Sequence, residues 1–311
     1  MPLLKRIRTL AAKIETTPGT AESLTNAEGA FNAYDVMLQP SIAMTDREGS
    51  GSFNHLTSIS EGQTATVTFR CDVAWDGTAT EPTIFSVLMP ACGWTENSNV
   101  WKPRSEAPGT NVKTLTLGVY VDGLLKTIKG AVGSWVMTLP TGRMITIEFT
   151  FTGVYVEPTS TAIIAPTYPT DAPLRFASAT ACTFNSVAMK VEQITIDAGN
   201  EVTMLEDPTQ ASGFLHGIIT MRRPTITANP ESVLVAAQNR HNIWTTSTAY
   251  TIQITLDGPS TSTLGITAPK AQILNIQEGD RNRVVVDDIE FLCSKNGATQ
   301  NEELYFTFTP T

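Results

Sequence analysis

Residues 115–156 read LTLGVYVDGLLKTIKGAVGSWVMTLPTGRMITIEFTFTGVYV. Leu115, Leu117, Val119 and Val121 alternate with Thr116, Gly118, Tyr120 and Asp122. Trp135, Met137 and Leu139 alternate with Ser134, Val136 and Thr138. Ile145, Ile147, Phe149 and Phe151 alternate with Thr146, Glu148, Thr150 and Thr152. A period of two puts one set on an inner face and the other outside, so each run reads as a half-buried strand. Pro140-Thr141-Gly142 supplies the turn between the second and third runs. The stretch is antiparallel sheet without visible chemistry.

The rest of the chain bounds the possibilities. Its 311 residues allow one large or two medium domains. Apolar residues make up 41%, as in a soluble globular chain, and no run approaches the roughly 18 apolar residues of a membrane span. The basic start, with Lys5, Arg6 and Arg8, meets Lys13 and Glu15 before a secretory core can form, so no signal peptide is expected. The net charge is −9. Residues 1–165 hold 12 Lys and Arg against 15 Asp and Glu, and residues 166–311 hold 9 against 15. Both halves are acidic, which argues against tight nucleic-acid binding, because that needs a concentrated basic patch. Cys71, Cys92, Cys182 and Cys293 form no CxxC pair and read as buried free thiols of a chain folded in a reducing cytoplasm.

Along the chain, residues 1–31 lack a clean period and read as an arm packed on something else, such as a neighbouring subunit, or as a loose terminus. Residues 33–44 form a strand disturbed by Pro40, hence an edge or a bend. A long polar loop is expected from Thr45 to Gly62, then a strand from Gln63 to Val73. PTIFSVLMPACG (82–93) predicts one short helix, and 94–111 a polar insertion. Residues 157–174 contain four prolines and mark the boundary between two domains. After it come strands at 189–196 and 201–205, a polar loop at 206–217, and a strand continuing through 218–227. A helix in ESVLVAAQNR (231–240) is capped by Asn229, and three further strand runs follow. This order copies the first half. Leu115 and Leu117 match Ile252 and Ile254, and Leu139-Pro140-Thr141-Gly142 matches Ile276-Gln277-Glu278-Gly279, with Gly279 at the turn. Arg70 matches Arg222, and the register slips after Gly279. A repeated architecture decides the fold class.

Chemistry is sparse. His55, His216 and His241 lack metal-ligand spacing, and there is no phosphate-cradle or nucleophile-elbow motif. Glu206-Asp207 and Asp287-Asp288 could serve as a hydrolase pair or a calcium site, or simply as charges that deter edge pairing. Trp94 and Trp101, placed in the polar insertion, offer a sugar platform for a two-domain carbohydrate-binding or adhesin-like β-sandwich.

The wordings LAAKIETTPGTAESLTNAEGAFNAYDV, VAWDGTATEPT, LPTGRMITIEFTFTGVY, APTYPTDAPLRFA and PKAQILNIQEGDR resemble the tail tube (major tail) proteins of long, non-contractile-tailed bacteriophages, from about Leu10 to Phe306. The resemblance implies a mostly β chain of two tandem β-sandwich or half-barrel domains, each flanked by one short helix. The expected division is an arm at 1–31, a first domain at 32–157, a linker at 158–174 and a second domain at 175–311. It also implies a virion structural protein, not an enzyme and without cofactors, assembled in the host cytoplasm into stacked rings around a channel for genome delivery. With two such folds per chain, three copies would give a pseudo-six-fold ring. Its partners would be itself and other tail proteins: the tail terminator, the tape measure and the distal tail protein. DNA would pass through without sequence-specific binding. Asp46, Arg47, Glu48 and Phe53 in the first long loop, and Glu201, Glu206, Asp207 and Phe214 around the second, are the candidate inter-ring or lumen residues.

Overall fold

The computed structural model describes residues 3–311 apart from Lys5, Ala30 and Thr80. Met1, Pro2, Lys5 and Ala30, parts of the expected N-terminal arm, lie outside the described residues. The chain is mostly β. The first half carries β1 (Arg8–Ile14), β2 (Ala33–Glu48), β3 (His55–Asp72), α1 (Thr83–Leu88), β4 (Trp94–Asn97), β5 (Val100–Pro103), β6 (Leu115–Val121), β7 (Leu124–Pro140) and β8 (Thr146–Ser160). The second half carries β9 (Ala181–Phe184), β10 (Val187–Ala188), β11 (Gln193–Asp197), β12 (Asn200–Glu206), β13 (Phe214–Arg222), β14 (Thr225–Ala228), α2 (Arg240–Thr245), β15 (Ala249–Asp257), β16 (Thr263–Arg281), β17 (Val284–Cys293) and β18 (Tyr305–Thr309).

Strand neighbours in the first half run β1-β6-β7-β8-β3-β2, all antiparallel. In the second half they run β9-β15-β16-β17-β14-β11. Position by position the two orders coincide. The halves are joined through β11, which adds to β7 with Ile194 opposite Leu139 and Ile196 opposite Met137. One sheet therefore runs through both halves.

The opening stretch is three strands, but the middle one is longer than its alternation shows. β7 starts at Leu124, straight after a two-residue turn in which Asp122 and Gly123 both have positive φ (44° and 90°). That turn matches the right-handed twist of a hairpin. β7 then bends. Its first part pairs with β6 up to Ala131, its last part with β11 from Val136, and the pairing with β8 shifts register between Lys129 and Val132. Gly130 sits at the bend with φ 59°, and a Cβ there would meet His216. Such a bulge lets one strand serve two walls.

Several expectations are corrected. The segment 45–62 is no loop: β2 and β3 continue as a hairpin arm closed by a turn at 49–54, with Glu48 opposite His55. Polar, alternating strands exposed on both faces lack the apolar stripe by which a strand is recognised. Residues 8–14, expected in an arm, form β1 and pair within the chain with β6. The helix expected in 231–240 is displaced to Arg240–Thr245, where the Asn239 side chain accepts from the Asn242 N–H. Asn229 instead accepts from the Glu192 and Gln193 N–H groups. Gly279 lies within β16 opposite Val286, and the turn is Asn282-Arg283, both at positive φ. In the strand order, Arg70 on β3 has its counterpart in Thr225 on β14. Arg222 lies on β13, off the main sheet, and its guanidinium binds Glu303. The short helix expected in 82–93 is present as α1 followed by a single 3-10 turn.

The core is continuous. Phe69 stacks on Phe149 and Phe151 at ring-centroid distances of 5.7 and 6.0 Å. Phe306 and Phe308, on β18 of the second half, pack on first-half aromatics: Phe306 on Trp94 at 5.2 Å and Trp135 at 5.5 Å, Phe308 on Phe85 at 4.9 Å and Trp75 at 5.3 Å. Such pairs add about 0.5–1.5 kcal/mol each to the burial of the rings. Glu15 is buried near the start of this core. Its carboxylate accepts from the N–H groups of Gly19 and Gly130 and from the hydroxyls of Thr114 and Thr116, at 2.6–2.9 Å.

The four cysteines are free thiols; Cys71, Cys92 and Cys293 are buried and Cys182 is half-buried. Burial pushes every thiol pKa up, that of Cys182 to about 11 and that of Cys293 to about 12. Only the thiolate reacts. Titrated with a thiol reagent at neutral pH, the folded chain should therefore label slowly and at Cys182 first, with all four reacting in denaturant. Fast labelling of Cys71 or Cys92 without denaturant would contradict this packing.

Candidate assembly surfaces

The alternation that buries one side of the sheet makes a polar surface of the other. Read across the strands at one level, this face presents Asn275, Glu290, Thr227, Thr195, Thr138 and Thr146. The neighbouring level presents Thr225, Asp197, Val136, Glu148, Arg70 and Tyr34. The rows cross the β11–β7 junction without a break. Gln193, Asn275, Gln277 and Asp288 line an open depression on the second-half side. In these rows the acids are Glu148, Asp197 and Glu290, with Asp288 in the depression beside them, and the cation is Arg70, whose guanidinium is bound by Asp35 and its charged form thereby favoured. Tyr34 donates to Asp72 at 2.9 Å, and burial, then Asp72, push the phenol pKa up to about 12, so it stays a donor. The surface is hydroxyl-rich with an excess of negative charge. Its signal was present in the alternation: Thr146, Glu148, Thr150 and Thr152 are the outward set of the opening stretch.

Two hairpins leave this sheet. β3 is held by β8 only from Thr64 to Asp72, and beyond Gly62 and Gln63, which the second hairpin touches, the β2–β3 arm is supported by its own pairing. Asp46 accepts from the Ser58 hydroxyl at 2.6 Å, Arg47 and Glu48 face Leu56 and His55, and Phe53 at the tip is fully exposed. Ile42, Met44, Leu56 and Ile59 are exposed along the arm. The β12–β13 hairpin is shorter and folds back on the first half. Phe214 covers Gly62, Gly217 sits on Val132, and the Gln63 N–H donates to the Ser212 carbonyl. Glu201 stands opposite Met221 and Glu206 opposite Phe214. Asp207 accepts from the Thr209 hydroxyl and N–H, which hold its carboxyl below the usual carboxylate range. The eight sequence candidates thus fall into two clusters, and Phe214 touches the base of the other arm.

The other chemical readings find no support in the geometry. Trp94 and Trp101 are buried in the aromatic core rather than displayed for a sugar. Asp287 and Asp288 point to opposite faces: Asp287 is bound to the buried Arg240 at 2.6 Å, and Asp288 is exposed. Among the described residues no cluster of three or more His, Cys, Asp or Glu is placed to hold a metal ion.

A family model described as phage tail tube protein matches residues 6–293. The chain belongs to this family. No curated protein matches it. Tail tube proteins are structural rather than catalytic, so the chain is a virion tail component that assembles with copies of itself and with other phage tail proteins.

Proposed function

We propose that copies of this chain close into rings, that the rings stack into the tail tube, and that the genome passes to the host through the channel so formed. The observation that carries this is the sheet that runs unbroken through two halves of identical strand order, with one polar, acidic face. Each half, divided at the Pro-rich residues 158–174, serves as one tail-tube unit, and three chains give a ring of pseudo-six-fold symmetry. The face bearing Glu148, Thr195 and Glu290 lines the channel. Fixed negative charge there repels phosphate and keeps DNA from sticking to the wall. Hydroxyls hold water between the wall and the duplex.

The arm with Asp46, Arg47, Glu48 and Phe53 reaches the next ring, and the hairpin with Glu201, Glu206, Asp207 and Phe214 abuts it. Closing the sheet around the ring removes strand edges that would otherwise template aggregation. Assembly takes place in the host cytoplasm, with the tape measure inside the tube and the terminator and distal tail protein at its ends. Negative-stain microscopy of assemblies of the purified chain tests this: three-fold rings with six lobes are expected. Six-fold rings of whole chains, or a chain that stays monomeric at high concentration, would overturn it.

A further inference from the structure

The two halves share a strand order, yet they differ at opposite ends of the sheet. At one end the first half projects the β2–β3 arm, whereas the second half folds its counterpart, the β12–β13 hairpin, back on its neighbour. At the other end the roles exchange. The β7–β8 turn of the first half is short and is covered by the linker: the Ile145 N–H donates to the Leu174 carbonyl and the Gly142 N–H to that of Phe176. The β16–β17 hairpin of the second half runs on instead. Thr146, Thr138, Thr195, Thr227 and Glu290 form one row across the strands. On the arm's side of this row stand Glu148, Val136, Asp197, Thr225 and Leu292. On the far side, residues 284–289 of β17 carry the hairpin on to its turn at Asn282-Arg283, about 20 Å of strand.

The exposed apolar side chains gather on these same two projections. Ile42, Met44, Phe53, Leu56 and Ile59 lie on the arm. Val284 and Val285 lie on the tip of the β16–β17 hairpin, and Val233, Leu234 and Val235 lie beside it, where the Ser232 N–H donates to the Val285 carbonyl. Among the described residues these are the two largest groups of exposed large apolar side chains. Clusters of this kind mark interaction sites. Each is rimmed by exposed charge of both signs that makes no ion pair among the described residues: Arg47 and Glu48 on the arm, Arg283 and Glu278 at the tip. A chain thus carries one apolar arm at one end of its sheet and one apolar tip at the other.

We propose that the β2–β3 arm of one copy docks on the β16–β17 tip of a second copy, across Val233, Leu234, Val235, Val284 and Val285, and that this contact joins one ring to the next. The proposal rests on the ring reading above and names the surface that receives the arm. In a tube built of one kind of chain, whatever covers this end of a copy belongs to the opposite end of the next. The arm is the projecting apolar element at that opposite end. The contact is head-to-tail and uses different surfaces on the two partners, so it repeats without closing and sets no limit on length. Arms and tips are equal in number in every ring, because each chain supplies one of each. Arg47 and Glu48 then meet Glu278 and Arg283 around an apolar centre.

The test is electron microscopy of assemblies of the purified chains. The parent should form tubes. Leu234→Glu with Val235→Glu, and the milder Leu234→Ser with Val235→Ser, should keep the parent's melting curve and form single rings that do not stack. Phe53→Asp with Leu56→Asp should stop stacking from the arm side. When rings of the first variant are mixed with rings of this arm variant, pairs of rings and nothing longer should appear, since each kind keeps the part of the contact that the other has lost. Tubes from the tip variants, folded tip variants that form no rings, or a mixture without ring pairs would overturn the proposal and leave the ring reading standing. A parent chain that forms neither rings nor tubes would remove the ring reading itself.

Discussion

A chain in which residues 47–57 are replaced by Asn-Gly, joining Asp46 to Ser58, should fold as a stable monomer and form no tubes. Asp46 and Ser58 already face each other through a hydrogen bond of 2.6 Å, so a two-residue hairpin turn fits between them. The excised residues contain Arg47, Glu48, Phe53 and Leu56, none of them part of the core. Surface changes away from caps, strain and buried groups shift stability by about 0.5 kcal/mol or less. The expected thermal melt is therefore that of the parent.

Assembly is different. Burying a large apolar side chain that stands exposed in the monomer stabilises a contact by about 1.5–3 kcal/mol. Under the proposed stacking contact, Phe53 and Leu56 of every copy would supply such terms in every ring. Light scattering and electron microscopy check the result. Tubes of normal length would mean that the arm is not the contact between rings.

Glu15→Ala should cost about 3–5 kcal/mol of stability in the unassembled chain, the larger of the two effects on folding. A hydrogen bond to a charged acceptor contributes roughly 1.5–3 kcal/mol, and a buried donor left unpaired costs about 1–3 kcal/mol. Here one carboxylate serves four neutral donors from three separate segments: Gly19 in the loop after β1, Thr114 and Thr116 at the start of β6, and Gly130 at the bend of β7. The hydroxyls can turn to other partners, but the two N–H groups cannot.

Glu15→Gln should recover only part of the loss. Its amide oxygen can still serve one pair of donors. Its NH2 then faces the other pair, where a hydroxyl can accept and an N–H cannot. Urea denaturation of the three chains orders them: parent, Gln, Ala. Equal stability of all three would show that the Glu15 network contributes nothing to folding.

How much of this was legible in the sequence depended on which side of each strand met the core. The runs around Trp135, Phe149 and Ile254 alternate between buried apolar and exposed polar positions, and the strands were recognisable from that pattern alone. The duplicated order could be read for the same reason. The β2–β3 arm reads as a loop in sequence because Thr45, Asp46, Ser58 and Ser60 break any apolar alternation; its pairing becomes visible only with the partner strand in place. Val233, Leu234 and Val235 suggested a helix, yet they are exposed in an irregular segment held by the Val285 carbonyl and the Lys190 carbonyl. In sequence Trp94 and Trp101 read as available for a ligand because their surroundings are polar. The residues that bury them, Phe85 and Phe306, are brought in from elsewhere in the chain. The polar wall was written in the sequence as the neglected half of an alternation, but only register placed Thr195 beside Thr138 and Glu290 beside Thr227.

The packing of β18 has a consequence for how the chain comes to be folded. Trp101 is paired with Phe306, and the Asn99 carbonyl accepts from the Phe308 N–H, about 200 residues later in synthesis. Contacts of such long range form late, since the entropy of closing the loop is spent before they are made. On the ribosome, then, the first half waits with Trp94, Trp101 and Trp135 lacking the cover of Phe306. The chain reaches its assembly-competent form only after β18 has emerged.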